Sequence, residues 1–357
     1  MIKCSHTIFK RYKMDRREIQ ALLDVGGEIF IPSGVHTVDA PLVIGDDTSL
    51  TLASDAVIRL ADGANCEIIR NEGLAKKYNK NISIKGGIWD GNNQGQTRHV
   101  RGFEDIGKPF DINFYYGIMM RFVGVENYIF RDLTLKDPEA YPVQMSMIKD
   151  FHVENIIFDY NMLRTNMDGI HINGPAEHGF IKHLRGATND DMVALNCDDC
   201  FETEITRGPI NDIYVEDLYC EDGYTAVRLL SCGDPLTNVT LKNIQGSYRY
   251  NAVSFTHHNV HEGECWIDDI EIDGVEVSKV DGDNSYALFW FAEGTHTGRV
   301  TLRNIYRCED RPSVANTVKI DPNTTVDSLT IENVTQSGPL PEIFANSGRV
   351  EKLIIKH

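Results

Sequence analysis

The stretch Val239-Thr-Leu-Lys-Asn243-Ile244 is one of seven near-copies spread along a 357-residue chain. The others are Tyr128-Ile-Phe-Arg-Asp132-Leu133, Phe151-His-Val-Glu-Asn155-Ile156, Ile213-Tyr-Val-Glu-Asp217, Ile270-Glu-Ile-Asp-Gly274, Val300-Thr-Leu-Arg-Asn304-Ile305 and Leu329-Thr-Ile-Glu-Asn333-Val334. Each alternates apolar and polar residues and then reaches Asn, Asp or Gly, which is the chemistry of a half-buried strand ending in a turn. Weaker copies start at Leu50, Ile82, Phe180 and Leu353. From Tyr128 onward the starts are 23, 29, 33, 26, 31, 30, 29 and 24 residues apart, the period of a solenoid. A second short strand follows in several repeats: Gly169-Ile-His-Ile172, Met192-Val-Ala-Leu195, Ala226-Val-Arg-Leu229 and Ala252-Val-Ser-Phe255. Short strands recurring at this period with almost no helix predict an all-β fold, a single-stranded right-handed parallel β-helix. Its coils stack at the inter-strand spacing of about 4.8 Å. Propeller blades need about 40–45 residues each, and sandwiches need regular hairpin turns; neither pattern is present. The helical signal at Arg16–Leu23, before Gly26-Gly27, predicts an N-terminal cap and first strand over residues 1–48, with one continuous β-helix over 49–357.

Composition narrows the partners. Thirty-five Lys and Arg against 53 Asp and Glu give a net charge of −18, a surface that repels phosphate backbones and anionic lipid. Nucleic acid and membrane are therefore not expected partners. No apolar run approaches the roughly 18 residues of a spanning helix. The N-terminal residues show no secretory apolar core, so a cytoplasmic location is expected. The eight cysteines read as reduced thiols filling apolar space, not as a disulfide scaffold. Cys197-Asp-Asp-Cys200 has zinc-knuckle spacing, but lacks the second pair or histidine partner that such sites show. Neither metal nor cofactor is expected.

Stacking the second strands places chemistry. With Ile170, Val193, Val227 and Val253 in one inward column, Asp168 and Asp191 share the column two residues earlier, and Asp190 stands beside them. Asp168 is 22 and 23 residues from this pair, which is one coil. Three carboxylates within about 5–8 Å repel, so at least one should hold a proton near neutrality. A protonated acid beside an ionised base is the pair that glycosidic bond cleavage uses.

These residues resemble the polygalacturonases and their relatives in glycoside hydrolase family 28. That family carries an Asn-Thr-Asp-Gly motif and, one coil later, an Asp-Asp pair. Asn166-Met167-Asp168-Gly169 and Asn189-Asp190-Asp191-Met192 match them in order and spacing, and Gly86-Gly-Ile-Trp-Asp90-Gly91-Asn92 resembles an earlier coil. The resemblance runs from about Gly27 to Leu230. It implies that Asp190 is the general acid, that Asp168 and Asp191 activate water, and that the anomeric carbon is inverted. One-coil stacking by itself lies nearer the roughly 5 Å separation of retaining enzymes. Two family motifs are absent: a Gly-His-Gly would fall at Gly223–Thr225, and an Arg-Ile-Lys, which holds a substrate carboxylate, at Ser254–Thr256. Substrate contacts are expected instead from Asn166, His171, Tyr224, Arg228, His257, His258 and Trp290. His171 and Arg228 share an outward column, the histidine pair lies nearby, and Trp290 is a candidate sugar-stacking platform.

The expected partner is a pectin-type or other uronate- or rhamnose-containing oligosaccharide or polysaccharide. Exo action is expected, with the inserts Asn92–Phe114 and Val260–Trp266 walling one end of the groove. Arg98, His99, Arg101 and Lys108 make the first insert locally basic. A polysaccharide lyase or uronate epimerase is the alternative, with Tyr224 or Arg228 as base, and a non-turnover carbohydrate-binding module is a third. Products separate them, since a lyase makes an unsaturated uronide, a hydrolase makes reducing ends, and a binding module makes neither.

Overall fold

The fifth residue of each repeat turns a corner in the left-handed region of the backbone. Asp132, Asn155, Asp217, Asn243, Asn304 and Asn333 have φ between 51° and 61°, and Gly274 has 75°. Asn, Asp and Gly tolerate this region better than other residues, which explains why the repeat is legible. Asn side chains stack from coil to coil: Asn155 donates to Asp132 at 2.8 Å, Asn304 to Asp273 at 2.7 Å and Asn333 to Asn304 at 2.8 Å.

The computed structural model describes residues 13–74, 76–100, 114–198, 207–257 and 265–356. The chain is a parallel β-helix. One column runs through Thr48, Ile82, Tyr128, Phe151, Gly179, Ile213, Val239, Ile270, Val300, Leu329 and Leu353, paired in parallel register. Two weak repeats are thereby shifted from their sequence reading. The copy read from Phe180 starts at Gly179, and the copy read from Leu50 starts at Thr48. Gly179 carries no apolar side chain because the Phe151 ring of the preceding coil fills its place; a Cβ there would lie 2.1 Å from that ring.

The inward residues form one continuous core from Met14 to Ile331. At its N-terminal end the helix Arg16–Val25 buries Ile19 and Leu23. Asp15 and Glu18 close a reciprocal capping box, and Gln20 exchanges two hydrogen bonds with the Val43 backbone at 3.0 and 2.8 Å. The helix thus runs two residues past its sequence reading, ending at Gly26 with φ 73°. Cys197, Cys220, Cys232 and Cys265 are buried thiols, whereas Cys308 is exposed, contrary to the core role expected of it. No group of metal-ligating side chains exists among the described residues. Cys200 lies outside them.

Candidate active site

Parallel register builds the site. Ile170, Val193, Val227 and Val253 stack inward as expected, and on the opposite face of the same strands Arg121, Gln144, His171, Ala194, Arg228, Ser254, Trp290 and Lys319 form a second column. The Gly169 N–H donates to the Asp191 carbonyl at 2.9 Å, which brings the two acidic turns together. Gly169 is required for that approach: a Cβ would meet the Met192 carbonyl oxygen at 2.2 Å and the Phe158 ring at 2.7 Å. We expect Gly169→Ala to cost about 1–3 kcal/mol by overpacking and to move Asp168 off its partner coil. A lowered melting temperature checks this.

Each carboxylate has its own partners. Asp168 is buried; its Oδ2 lies 2.6 Å from His171 Nδ1, and its carbonyl accepts from the Tyr160 hydroxyl at 2.9 Å. Asn196 Nδ2 lies 3.3 Å from His171 Nε2, so the amide donates there and the Nδ1 proton goes to Asp168. The Tyr141 ring stacks on His171 at 3.9 Å. His171 is therefore fully buried and touches the acid, not the open groove where a substrate contact was expected. Asp191 is also buried and forms an ion pair with Arg228 Nε at 3.0 Å. The same Nε donates to Asn196 Oδ1 at 3.1 Å, so Arg228 links both buried acids through Asn196.

Asp190 is the most open of the three. Its Oδ2 accepts from Asn166 Nδ2 at 3.3 Å, and its Oδ1 accepts from the Asp191 N–H at 3.0 Å. Removal from water, followed by the repulsion of Asp168 and Asp191, pushes its carboxyl up to about 8, with Arg228 opposing. Asp190 is thus a protonated acid at neutral pH beside two further carboxylates.

The remaining expected contacts are spread along the groove. Asn166 sits on Asp190, and Arg98 of the first insert donates to Asn166 at 3.4 Å and to Thr165 at 2.9 Å. Tyr224 follows Asp190 one coil on, and its phenol is pushed up first by burial and then by Asp190. Trp290 lies in the same column as Arg228, two coils away, with its N–H donating to Asp321 at 2.6 Å. His257 stands just past the strand Pro235–Thr256, three residues beyond Ser254. His258, Arg101, Lys108 and most of the second insert lie outside the described residues. Sequence reasoning did not single out Asn196, Tyr141, Tyr250, Tyr286 or Arg249. Arg249 donates to Asn189 Oδ1 at 2.8 Å and braces the Asp190 turn.

Fold and site together define a parallel β-helix with three carboxylates brought together on one face. The chain resembles glycoside hydrolase family 28, and the comparisons with known proteins fit that resemblance. No family model matches the chain. Rhamnogalacturonase A from Aspergillus niger is 24% identical over 222 residues, 61% of this chain and 43% of that protein. The chain therefore spans about two-fifths of the length of the curated relative that it matches. Solved structures share the fold. A family 28 exopolygalacturonase from Yersinia enterocolitica is 12% identical, covering 95% of this chain and 74% of that one, with a TM-score of 0.60. An endo-xylogalacturonan hydrolase from Aspergillus tubingensis is 15% identical, covering 94% and 91%, with a TM-score of 0.61. A mannuronan C-5 epimerase module from Azotobacter vinelandii is 11% identical, covering 95% and 94%, with a TM-score of 0.63. Hydrolases and an epimerase share this scaffold, so the side chains of the site must decide the reaction.

Proposed function

We propose that the chain is an inverting glycoside hydrolase acting on pectin-type oligosaccharides that contain uronate or rhamnose. The observation that carries this reading is the raised carboxyl of Asp190 beside Asp168 and Asp191. Asp190 gives its proton to the glycosidic oxygen as the bond to the anomeric carbon breaks. A water attacks that carbon from the opposite side, and its proton passes to the Asp168–Asp191 pair. His171 holds Asp168, and Arg228 holds Asp191. Solvent then takes the proton from the Asp168–Asp191 pair and returns one to Asp190, which completes the cycle.

The lyase and epimerase reading needs a base that loses its proton readily. Burial and Asp190 push the Tyr224 phenol up, and Arg228 is paired with Asp191, so neither suits that role. Exo action is part of the proposal. It is supported by the first insert, whose Arg98 reaches Asn166 beside the acid and so lines one side of the cleavage point.

Substrate choice follows from the missing cations. Ser254 is buried beside Arg228, and the guanidinium of Arg228 is already engaged by Asp191 and Asn196. A uronate at this position finds no ready counter-charge, which costs about 2–5 kcal/mol. We therefore expect kcat/KM on polygalacturonan at least about thirtyfold below that on the preferred oligosaccharide. The test is a panel of homogalacturonan, rhamnogalacturonan and xylogalacturonan oligosaccharides with product identification. New reducing ends from mixed oligosaccharides support the proposal. Efficient polygalacturonan cleavage overturns the substrate assignment, and no reducing ends from any member overturns the hydrolase reading.

A further inference from the structure

The column that carries Asp190 continues as three tyrosines. Asp191 pairs with Thr225, and Thr225 pairs with Asn251. The Asn251 amide donates to the Ala287 carbonyl at 2.6 Å, while Val253 pairs with Phe289. One residue earlier on each coil stand Asp190, Tyr224, Tyr250 and Tyr286. Tyr224 and Tyr250 have ring centroids 4.2 Å apart, Tyr250 and Tyr286 5.3 Å, and Tyr286 reaches Trp290 edge-on at 5.0 Å. Tyr224 and Tyr250 cover each other, but Tyr286 is 42% exposed and Trp290 is partly open. An apolar ring surface exposed at the end of such a row is costly to leave in water and suits the apolar face of a sugar ring.

The row is held from beneath. Lys279, only 4% exposed, donates from Nζ to the carbonyls of Arg249 at 2.8 Å, Tyr250 at 2.6 Å and Tyr286 at 3.0 Å. One ammonium thus ties together the backbones of two successive rungs. Its own N–H donates to Glu309 Oε1 at 2.8 Å, and Glu309 is fixed by buried Arg307 at 2.8 Å. A row that merely covered the turn would not need a buried cation to fix two of its backbones.

We propose that Tyr286 and Trp290 form a stacking subsite for a sugar unit of the same oligosaccharide, three coils from Asp190, with Tyr224 and Tyr250 as the intervening rungs and Lys279 as their positioning residue. The proposal rests on the hydrolase reading for the location of the cleavage point. Three coils at about 4.8 Å each set the reach, so an oligosaccharide must be several units long to span acid and platform. Spacings near one hexose unit per coil let successive sugars follow the row.

The test is calorimetric titration of the Asp190→Asn protein with homogalacturonan and rhamnogalacturonan oligosaccharides of graded length. Affinity should rise at least about tenfold once the oligomer spans the row. Tyr286→Ala and Trp290→Ala in the same background should each remove that gain, and Tyr286→Phe should restore it by keeping the ring. Long oligomers should also shift tryptophan emission, and Trp290→Phe should abolish the shift. Absence of binding, affinity independent of length, or a gain that survives both alanine variants overturns the platform. Turnover by the wild-type protein on the same oligomers separates the two readings. Cleavage with flat binding sinks the platform alone, and length-dependent binding without cleavage sinks the hydrolase alone.

Discussion

Replacing Asp190 by Asn lowers kcat by about 10²–10⁴-fold on the substrate the wild-type protein cleaves, because an amide cannot give a proton to the departing oxygen. Fold is kept, since Asn occupies the same volume and its one oxygen still accepts from the Asp191 N–H, while only the longer 3.3 Å contact from Asn166 is given up. The pH profile carries a second signature. A carboxyl pushed up to about 8 is protonated below that value, so wild-type activity should fall as pH rises through about 8. Stability gives a third, with the sign fixed by linkage. The folded pKa exceeds the unfolded one, so the stabilising contribution is present below the unfolded value and is lost as pH rises through about 8. Asp190→Asn should therefore melt higher than wild type at pH 9, where wild type must carry the buried charge. Near-wild-type turnover by Asp190→Asn on a substrate that the wild type cleaves would remove Asp190 from the acid role.

The second large effect is on stability. Lys279→Met should lower the folding free energy by about 3–5 kcal/mol, seen as a clear drop in melting temperature. The stem of Met fills the same channel, so the loss is polar. Three carbonyls are left in a buried place without a donor, each at about 1–3 kcal/mol before relaxation. Burial and then the repulsion of Arg307 push the Lys279 ammonium down to about 7, while Glu309 and Asp281 oppose them. In a solenoid the damage stays near its own coils, so the loss should appear as an early partial transition. A Met variant as stable as wild type would mean that the three carbonyls find other donors.

The sequence reveals the solenoid because its corner residue is chemically distinctive. Asn243 and its equivalents announce each turn, and the alternating apolar residues announce the face. The reading slips by one residue at Gly179, where the core is filled by Phe151 from the coil before and no local residue records it. The acid turns were legible for the same reason as the coils: Asp168 and Asp191 are one coil apart, and the Asn-x-Asp-Gly turn needs a glycine to pack. What covers a site is not written locally. His171 follows the outward alternation of its strand, yet Tyr141, from the preceding coil, lies flat on it. Arg228 was placed in the correct column, but its engagement by Asp191 depends on Asn196, which stands at the end of a strand with no motif of its own. Tyr250 and Tyr286 follow Tyr224 by 26 and then 36 residues, and that unequal spacing hides a column that is regular in space. Lys279 has no sequence signal at all, because its three closest acceptors are backbone carbonyls.

The chemistry at the anomeric carbon is the most direct point of attack. Proton NMR of the first turnovers on a cleaved pectic oligosaccharide would follow the anomeric signal of the new reducing end. Hydrolysis by Asp190 with water held at Asp168 and Asp191 predicts a product of inverted configuration that then mutarotates, with no signal from an unsaturated uronide. A first product of retained configuration, or an unsaturated uronide in its place, would contradict it.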